Sequence, residues 1–254
     1  MAAEAETSDD AVLGGRLVLR QPRNGHRVGH DAILLAAACS AQPGDRLVDL
    51  GAGVGVAGLA VARRVGDLAV TLVEIDTGLA ALALENAARN DLAPHVRTVC
   101  MDVTAPAKAF ATAGLAPGAA DHVLMNPPFN PAQNVSPDRR RRLAHSAAHD
   151  TLSRWLDTAA RLLCPDGIVT LIWRADGLAA ALAALAGSFG AIAILPVHGK
   201  LDALAIRVLV RAVKGSRAPL TLLPGFVLAD AAGNPTSEAE AVLRHGGALP
   251  LAEA

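Results

Sequence analysis

Short runs of apolar, often β-branched residues alternate along this chain with alanine- and leucine-rich segments at helical spacing. This alternation is typical of a parallel sheet with a helix after each strand, because parallel strands need long crossover connections. We predict seven strands, at residues 46–50, 70–75, 96–101, 122–125, 168–173, 191–197 and 203–213. The sequence therefore predicts an α/β fold, a doubly wound sheet with helices on both faces and ligands at the carboxyl ends of the strands.

Composition limits the class of protein. Of 254 residues, 52% are hydrophobic and 19% charged, with a net charge of −1, which excludes a disordered chain. The longest apolar stretches, such as 178–186, are shorter than the roughly 20 residues of a membrane-spanning helix, and the acidic first ten residues do not form a secretory signal. The three cysteines are far apart, which predicts buried, reduced thiols in the cytoplasm and no metal site.

Four segments follow from this pattern. Residues 1–12 are acidic and predicted to be disordered, and residues 13–45 form a segment before the first strand. The main domain covers 46–214, with helices at 78–90, 151–163 and 176–185 and a long polar loop before residue 151. Residues 215–254 depart from the alternation, and we expect an appendage with a strand at 220–228 and a short helix that Ser237 and Glu240 begin as a capping box.

A glycine-rich loop follows the first predicted strand and opens a helix. Asp49 lies inside the strand, and Gly51, Gly53 and Gly55 come directly after it. Glycines permit a tight turn and a close approach of ligand to backbone, while the helix N-terminus offers free N–H groups. The same loop contains the spacing of a dinucleotide fingerprint, ending at Gly58, so an NAD-dependent oxidoreductase is an alternative.

Acidic residues end the next two strands at the same edge of the sheet. Glu74, with its neighbour Asp76 as a substitute, is placed to accept hydrogen bonds from ribose hydroxyls. Asp102 could accept a bond from an adenine amino group, and the alternative for it is a helix N-cap. We expect Asp49 to organise the glycine loop through hydrogen bonds rather than to contact ligand.

The most specific motif is Asn126-Pro127-Pro128-Phe129, directly after the fourth predicted strand. The prolines hold the backbone extended and donate no N–H, so their carbonyls can accept hydrogen bonds alongside the Asn126 side chain. A rigid group of acceptors beside an aromatic ring suits a planar amine, whose N–H groups bind Asn126 and the Pro127 carbonyl while Phe129 stacks on its face. Catalysis would then depend on positioning and charge complementarity.

Together these motifs resemble the class I S-adenosyl-L-methionine (SAM)-dependent N-methyltransferases that carry an Asn-Pro-Pro-Phe motif. The resemblance covers residues 46–210 and implies a Rossmann-like seven-stranded methyltransferase sheet, with S-adenosyl-L-homocysteine as the product. It implies that Gly51, Gly53 and Gly55 lie near the methionine part of the cofactor, Glu74 and its neighbour Ile75 at the ribose, and Asp102 with Val103 at the adenine. Asn126, Pro127, Pro128 and Phe129 would hold the target amine, with Asn126 also beside the cofactor.

The segment 21–35, before the first strand, is similar to the leading segment of bacterial tRNA(Val) (adenine-N6)-methyltransferases. That resemblance implies that Gly29, His30 and Asp31 lie near the methionine end of the cofactor and that the segment 13–45 covers it. The predicted reaction is therefore methyl transfer to adenine N6 of a tRNA. Guanine N2 of RNA and the side-chain amide of a protein glutamine are alternatives, as is an RNA-binding module without activity.

Three stretches are rich in arginine and lysine, at 16–27, 139–142 and 200–217, and they could converge on one face that attracts phosphates. The predicted RNA-binding residues are Arg23, Arg27, Arg139, Arg140, Arg141 and Arg142. With few aromatic residues, we expect a single base to be splayed into the pocket rather than an extended stacking platform. The expected partner is RNA, and we expect a cytoplasmic protein that binds no membrane, with a monomer slightly favoured.

Overall fold

The computed structural model describes residues 6–23, 29–128 and 137–253, and for residues 137–149 it describes the backbone only. The strands are β1 (Thr7–Val12), β2 (Leu17–Pro22), β3 (Arg46–Leu50), β4 (Ala69–Glu74), β5 (Val96–Cys100), β6 (Ala120–Met125), β7 (Leu163–Arg174), β8 (Phe189–Lys200), β9 (Ala205–Lys214), β10 (Thr221–Leu222) and β11 (Phe226–Ala229). The helices are α1 (His30–Ala37), α2 (Val56–Val65), α3 (Thr77–Arg89), α4 (Ala107–Thr112), α5 (Pro137–Leu162), α6 (Leu178–Leu185) and α7 (Ser237–Leu243).

The main sheet has nine strands rather than the predicted seven. Its order is β10-β8-β9-β7-β6-β3-β4-β5, and β11 also pairs with β8. The five neighbouring strands β5, β4, β3, β6 and β7 run parallel to one another. Strand β9 runs antiparallel to both β7 and β8. The seven predicted strands are all present. The two additional ones are short and lie parallel to β8, where Pro224 and Gly225 divide what the sequence suggested was a single strand.

Both faces of the sheet carry helices, as predicted, because side chains alternate between the faces of a strand and each face buries its own apolar set. One face packs Leu47, Leu72 and Leu124 against α1 and α2. The opposite face packs Val73 and Met125 against α4 and α5. The strand order changes direction around β3 and β6, and the crevice at their carboxyl ends is where an open α/β sheet binds ligand.

The N-terminal region corrects the prediction of disorder for residues 1–12 over its last six residues. Thr7–Val12 is strand β1 and forms an antiparallel hairpin with β2. Asp9, one of the acidic residues that suggested disorder, forms ion pairs with Arg20 and Arg89. Arg20 also pairs with Glu85 of α3, so the hairpin is attached to the main domain. Residues 1–5 lie outside the described residues.

The C-terminal region is built into the domain more closely than an appendage. Ala239 and Val242 of α7 and Leu251 share the apolar core of α1 and α2. The predicted cap of α7 is wrong by one residue, since the side chain of Thr236, not Ser237, accepts the hydrogen bond from the Ala239 amide at 3.0 Å. Ser237 is the first residue of the helix, and threonine, like serine, is a favoured N-cap residue.

Helix α5 corrects the prediction of a polar loop before residue 151. The helix begins at Pro137, a residue type favoured in the first helical turn. Residues 138–162 contain neither glycine nor proline and are rich in alanine, arginine and leucine, which favour helix. Among the described residues no helix has the length and apolarity to cross a bilayer.

The cysteines only partly follow the prediction of buried thiols. Cys39 is buried, Cys164 is partly buried and Cys100 is exposed. Cys100 is exposed because it ends β5, the last strand at one side of the sheet.

Candidate active site

A cavity of about 450 Å³ lies at the carboxyl edge of the sheet, between α1, the glycine loop and the start of β9. That volume is within the range of small-molecule sites, about 300–1,000 Å³. The cavity brings together seven of the residues that the sequence predicts for the site, namely Gly29, His30, Asp31, Asp49, Gly51, Gly53 and Asn126. The other predicted residues that the structure describes, Gly55, Glu74, Ile75, Asp102, Val103, Pro127 and Pro128, are not part of its lining.

The glycine loop is bonded to the neighbouring strand β4 on one side and lines the cavity on the other. Gly51 and Ala52 donate backbone hydrogen bonds to the Val73 carbonyl, at 2.8 and 3.0 Å. A Cβ on Gly51 would lie 2.4 Å from Cη2 of the Trp155 ring, whereas one on Gly53 would meet nothing within 4 Å. Both glycines have positive φ, 70° and 57°. Gly51 therefore serves the packing of Trp155 as well as the turn, and Gly53 leaves space for a ligand.

Gly55 does not face the cavity. It is the N-cap of α2 with a φ of 90°. A Cβ there would lie 3.0 Å from Leu72 and 3.3 Å from Ala83, both in the core. Gly55 thus allows α2 to pack closely on the sheet, and its predicted contact with the cofactor stays a prediction.

Asp49 organises the loop, as the sequence predicts. Its Oδ2 accepts the Gly58 amide at 2.9 Å, and the residue is buried. Burial raises the pKa of Asp49 to about 7, against the effect of the Gly58 hydrogen bond, and the negative charge of Glu74 raises it further. The side chain is therefore partly protonated at neutral pH.

Glu74, the last residue of β4, connects the end of that strand to the glycine loop. Its two carboxylate oxygens accept the amides of Gly53 (2.8 Å) and Asp76 (2.9 Å), and the residue is buried. Asp76, the predicted substitute, is instead the N-cap of α3 and accepts the Gly78 and Leu79 amides. Glu74 is therefore the acid that reaches the loop, and its role at a ribose stays a prediction.

Asp102 follows β5 and lies further along the same edge. Its Oδ1 accepts from the amide and the hydroxyl of Thr104, at 2.7 and 2.8 Å, and these bonds hold the pKa of Asp102 below its ordinary value. The helix N-cap alternative is wrong, because α4 begins five residues later with Pro106 as its cap. Ile75 is 64% exposed beside Glu74 and Val103 is buried, so of these two only Ile75 offers an apolar surface to a ligand.

Asn126, Pro127 and Pro128 directly follow β6, in a stretch without regular secondary structure. Asn126 is partly buried and lines the cavity with Gly53, Pro127 is buried, and Pro128 is exposed. Phe129 and Arg27 lie outside the described residues, and so do the side chains of Arg139, Arg140, Arg141 and Arg142, although the backbone of these four belongs to α5.

The third basic stretch does not form one face. It follows β9 across the sheet, so that Arg207 lies at the carboxyl edge and Lys214 at the opposite edge, where its Nζ donates to the Leu163 carbonyl. In the first stretch Arg16 donates to the His245 carbonyl. Arg23, whose Nε donates to the Thr7 carbonyl at 3.1 Å, is exposed. The predicted RNA contact of Arg23 stays a prediction.

Several residues that line the cavity were not predicted from the sequence. Ile206 and Arg207 come from β9, Leu228 comes from β11, and Leu79 comes from α3. Arg207 Nε donates to Asp31 Oδ2 at 2.9 Å, a contact between residues 176 positions apart. Its charge was visible in the sequence, but the strand order that brings it to α1 was not.

Comparison with known proteins gives a family and several relatives. A family model described as a methyltransferase small domain matches residues 26–202. A protein of Bacteroides thetaiotaomicron named tRNA1(Val) (adenine(37)-N6)-methyltransferase is 30% identical over 151 residues, 59% of this chain and 60% of that protein. One of the same name from Dickeya chrysanthemi is 32% identical, over 56% of this chain and 54% of that one. The chain thus spans about 60% of the length of the first of these relatives.

Solved structures show the same fold. A predicted O-methyltransferase of Agrobacterium tumefaciens, protein Atu636, superposes with a TM-score of 0.73 and 31% identity, over 86% of this chain and 98% of that one. TrmN from Thermus thermophilus superposes with a TM-score of 0.52 and 22% identity, over 72% of this chain and 47% of that one. The second similarity supports the fold alone.

Proposed function

The chain belongs to the methyltransferase small domain family, and from that premise we propose that it transfers a methyl group from SAM to the exocyclic N6 of an adenine in tRNA. The family agrees with the enzyme class and with the cofactor that the sequence predicts. The finer part of the proposal, the base and the RNA, is supported by the names of relatives near 30% identity and by the Asn126-Pro127-Pro128 motif.

One observation carries the proposal: Asn126 lines the same cavity as the open face of Gly53. The residues fit a cationic nucleoside cofactor, because the cavity is lined by the carboxyl groups of Asp31 and Asp49 and a Cβ on Gly53 would meet no atom. An amine bound to Asn126 would therefore lie close to a group bound over the glycine loop. A proline on each of the next two positions keeps the Asn126 backbone from joining a helix.

The proposed roles follow from this placement. When bound, SAM supplies an electrophilic methyl group on a sulfonium. The Asn126 side-chain oxygen and the Pro127 carbonyl accept the two N–H bonds of the target amine, which fixes its plane and directs the nitrogen lone pair toward the methyl carbon. Bound SAM would supply the methyl group in exchange for a proton of the amine, which would pass to water, with S-adenosyl-L-homocysteine as the product.

The alternatives are distinguished by the acceptor group. A guanine N2 and a glutamine amide are also planar NH2 groups that Asn126 and Pro127 could hold, so the choice of adenine rests on the relatives. An NAD-dependent oxidoreductase would leave these acceptors without a role. An RNA-binding module without activity would have no need of the cavity over Gly53. We propose RNA as the partner, with Arg23, Arg27 and the arginines at 139–142 as contacts, and the cytoplasm as the location, since a tRNA substrate favours it.

The experiment uses the full chain, SAM with a labelled methyl group, and three acceptors: unmodified tRNA, unmodified ribosomal RNA and a glutamine-bearing protein. We expect label in tRNA, recovered as N6-methyladenosine by mass spectrometry of nucleosides. Asn126→Ala should lower turnover by about 100-fold or more while S-adenosyl-L-homocysteine still binds, since lost transition-state positioning costs this much. Asn234→Ala, in an exposed turn, is the matched control. Label in guanosine or in protein would contradict the proposal.

A further inference from the structure

A second cavity, of about 490 Å³, lies at the amino edge of the sheet and shares no lining residue with the cavity at the carboxyl edge. Its lining comes from the last turns of α5 and from the chain next to the start of β8 and the end of β9. The lining consists of Asp157, Ala160, Arg161, Ser188, Lys214 and Gly215. The strand order thus brings two cations, Arg161 and Lys214, to one cavity from distant parts of the sequence.

Uncharged oxygen atoms hold both cations in place. Lys214 Nζ donates to the Leu163 carbonyl at 2.6 Å. Arg161 Nη2 donates to Thr158 Oγ1 at 2.9 Å and to the Ala105 carbonyl at 3.4 Å. Among the residues that the structure describes, neither cation forms an ion pair. Ion pairs do hold the side chains of Arg20, Arg46, Arg89, Arg174, Arg207 and Arg244.

Capping of α5 explains only part of this arrangement. A helix C-terminus attracts cations, and both side chains lie at the end of α5. The bonds of Arg161 use only Nη2, so its Nε and Nη1 have no partner in the described part of the chain. The Lys214 ammonium has three N–H donors and uses one. The exposed Ser188 hydroxyl lies at the same cavity. The unused donors therefore suit an anion with several acceptor oxygens.

Helix α5 connects this cavity to the RNA contacts that the sequence predicts. The backbone of residues 139–142 belongs to its first turns, Arg154 is exposed in its second half, and Arg161 lies in its last turn. At 1.5 Å per residue, the helix separates residue 139 from Arg161 by roughly 33 Å. A single nucleotide does not span that distance, whereas a folded RNA does. An RNA that contacts the start of α5 can therefore reach Arg161 by lying along the helix.

We propose that Arg161 and Lys214 form a phosphate-binding subsite for the RNA backbone, remote from the reacting base. The guanidinium donates to the phosphate oxygens, and the ammonium adds a second positive charge beside them. Because a phosphate contact carries no sequence information, the subsite adds affinity and orientation and does not choose the base. This inference rests on the proposed function for its RNA partner.

The test measures binding of unmodified tRNA to the full chain by fluorescence anisotropy over a series of salt concentrations. The first variant combines Arg161→Gln with Lys214→Gln. The second combines Arg161→Lys with Lys214→Arg, which exchanges the cations and keeps both charges. Arg244→Gln is the matched control, because Arg244 is exposed and lines neither cavity. Inorganic phosphate is titrated by calorimetry as the free anion, and thermal melting compares the stability of the variants.

We expect the double glutamine variant to bind tRNA about 10-fold more weakly near about 100 mM salt, and the slope of log affinity against log salt to fall by about 1 for each cation lost. Its affinity for S-adenosyl-L-homocysteine should change by less than about twofold, since the cofactor cavity is remote. The exchanged variant and the control should keep the wild-type slope, because a phosphate contact depends on charge.

An unchanged slope in the double glutamine variant, even with a lower melting temperature, would assign both cations to the cap of α5 and overturn the subsite. Inorganic phosphate that binds the wild type but not this variant, with the RNA slope unchanged, would assign the cavity to a free anion and overturn the RNA contact.

Failure of the subsite and failure of the proposed function are distinguishable. N6-methyladenosine in tRNA together with an unchanged salt slope would overturn the subsite alone. Label in ribosomal RNA would contradict the proposed substrate, and the same salt series with that RNA would then decide the subsite. Label in protein only, with neither RNA bound, would overturn both.

Discussion

Acidic residues lie at both the amino and the carboxyl ends of the parallel strands, and their bonding partners differ between the two edges. At the amino edge Asp121 accepts two side-chain bonds from Arg46, at 2.9 and 2.8 Å, and Asp45 lies 3.1 Å from His122 Nε2. At the carboxyl edge Asp49, Glu74 and Asp102 accept from backbone amides. Asp121 is thus paired with a basic side chain, whereas Asp49, Glu74 and Asp102 are held by backbone amides.

The pKa values of Asp121 at the amino edge and Asp49 at the carboxyl edge are shifted in opposite directions. The Arg46 guanidinium holds the pKa of Asp121 far below its ordinary value, so this carboxylate is ionised at any physiological pH. Burial instead raises the pKa of Asp49 to about 7. An ionised Asp49 is therefore costly in the folded chain, and a carboxyl group with a raised pKa that lines a cavity is typical of functional sites.

The largest expected effect compares one glycine from each edge. Gly51→Ala should destabilise the protein by about 3 kcal/mol, because the new methyl group overlaps Trp155 and the residue needs a positive φ. Gly44→Ala, at the amino edge, also meets a positive φ but has open space, and should cost only about 1 kcal/mol. Chemical denaturation measures both, and equal losses would show that the contact with Trp155 is unimportant.

The second prediction concerns pH and Asp49. Its pKa is higher in the folded than in the unfolded chain, so its contribution to stability is complete in acid and is lost as pH rises toward 7. Relative to Asp49→Asn, which keeps an oxygen for the Gly58 amide, the wild type should lose about 2 kcal/mol between pH 5 and pH 7. Denaturation of both proteins across that range measures the difference. Parallel curves would contradict the raised pKa.

The third prediction compares the effect on cofactor affinity of one acidic residue from each edge. Glu74→Gln should weaken the binding of S-adenosyl-L-homocysteine by about 10-fold. In the variant an NH2 group replaces one of the two carboxylate oxygens that accept the Gly53 and Asp76 amides, so that a donor faces a donor. Asp121→Asn makes the same charge change at the amino edge and should alter the affinity by less than about twofold. Calorimetry gives both values, and a similar loss in the two variants would remove the functional distinction.

The smallest expected effect is on stability at the amino edge. Asp121→Asn should cost about 1 kcal/mol at neutral pH, because the pair with Arg46 is partly exposed and screened. The pKa of Asp121 is lower in the folded chain, so this stabilisation is present above the ordinary aspartate pKa and is lost as pH falls below it. Thermal melting should therefore show variant and wild type converging in acid. A constant gap would assign the effect to packing.

Much of the fold was predictable from local pattern. The strand at Arg46–Leu50 has the predicted bounds, because a buried parallel strand between turn residues and a glycine loop has clear limits in the sequence. The strand Thr7–Val12 was not predictable from its own residues. Asp9 pairs with Arg20 and Arg89 and Asp10 accepts from Gln21, and only the folded chain brings Arg89 of α3 to Asp9.

The candidate site divides in the same way. Asp49 lies near the end of β3, Gly53 follows β3, and Asn126 follows the neighbouring strand β6, so their sequence motifs sufficed to place them at one cavity. Arg207 precedes most of its strand instead of following it, because β9 runs antiparallel to β7. A residue at the start of a strand reaches the carboxyl edge only when that strand is reversed, and no local pattern at Arg207 predicts the reversal.

The account depends most on the carboxyl-edge cavity as the place where the cofactor and the target amine meet. The direct measurement is a crystal structure of the full chain with S-adenosyl-L-homocysteine. We predict the ligand over Gly53, with its sulfur facing the Asn126 side chain. A ligand bound elsewhere, or Asn126 directed away from the sulfur, would contradict the account.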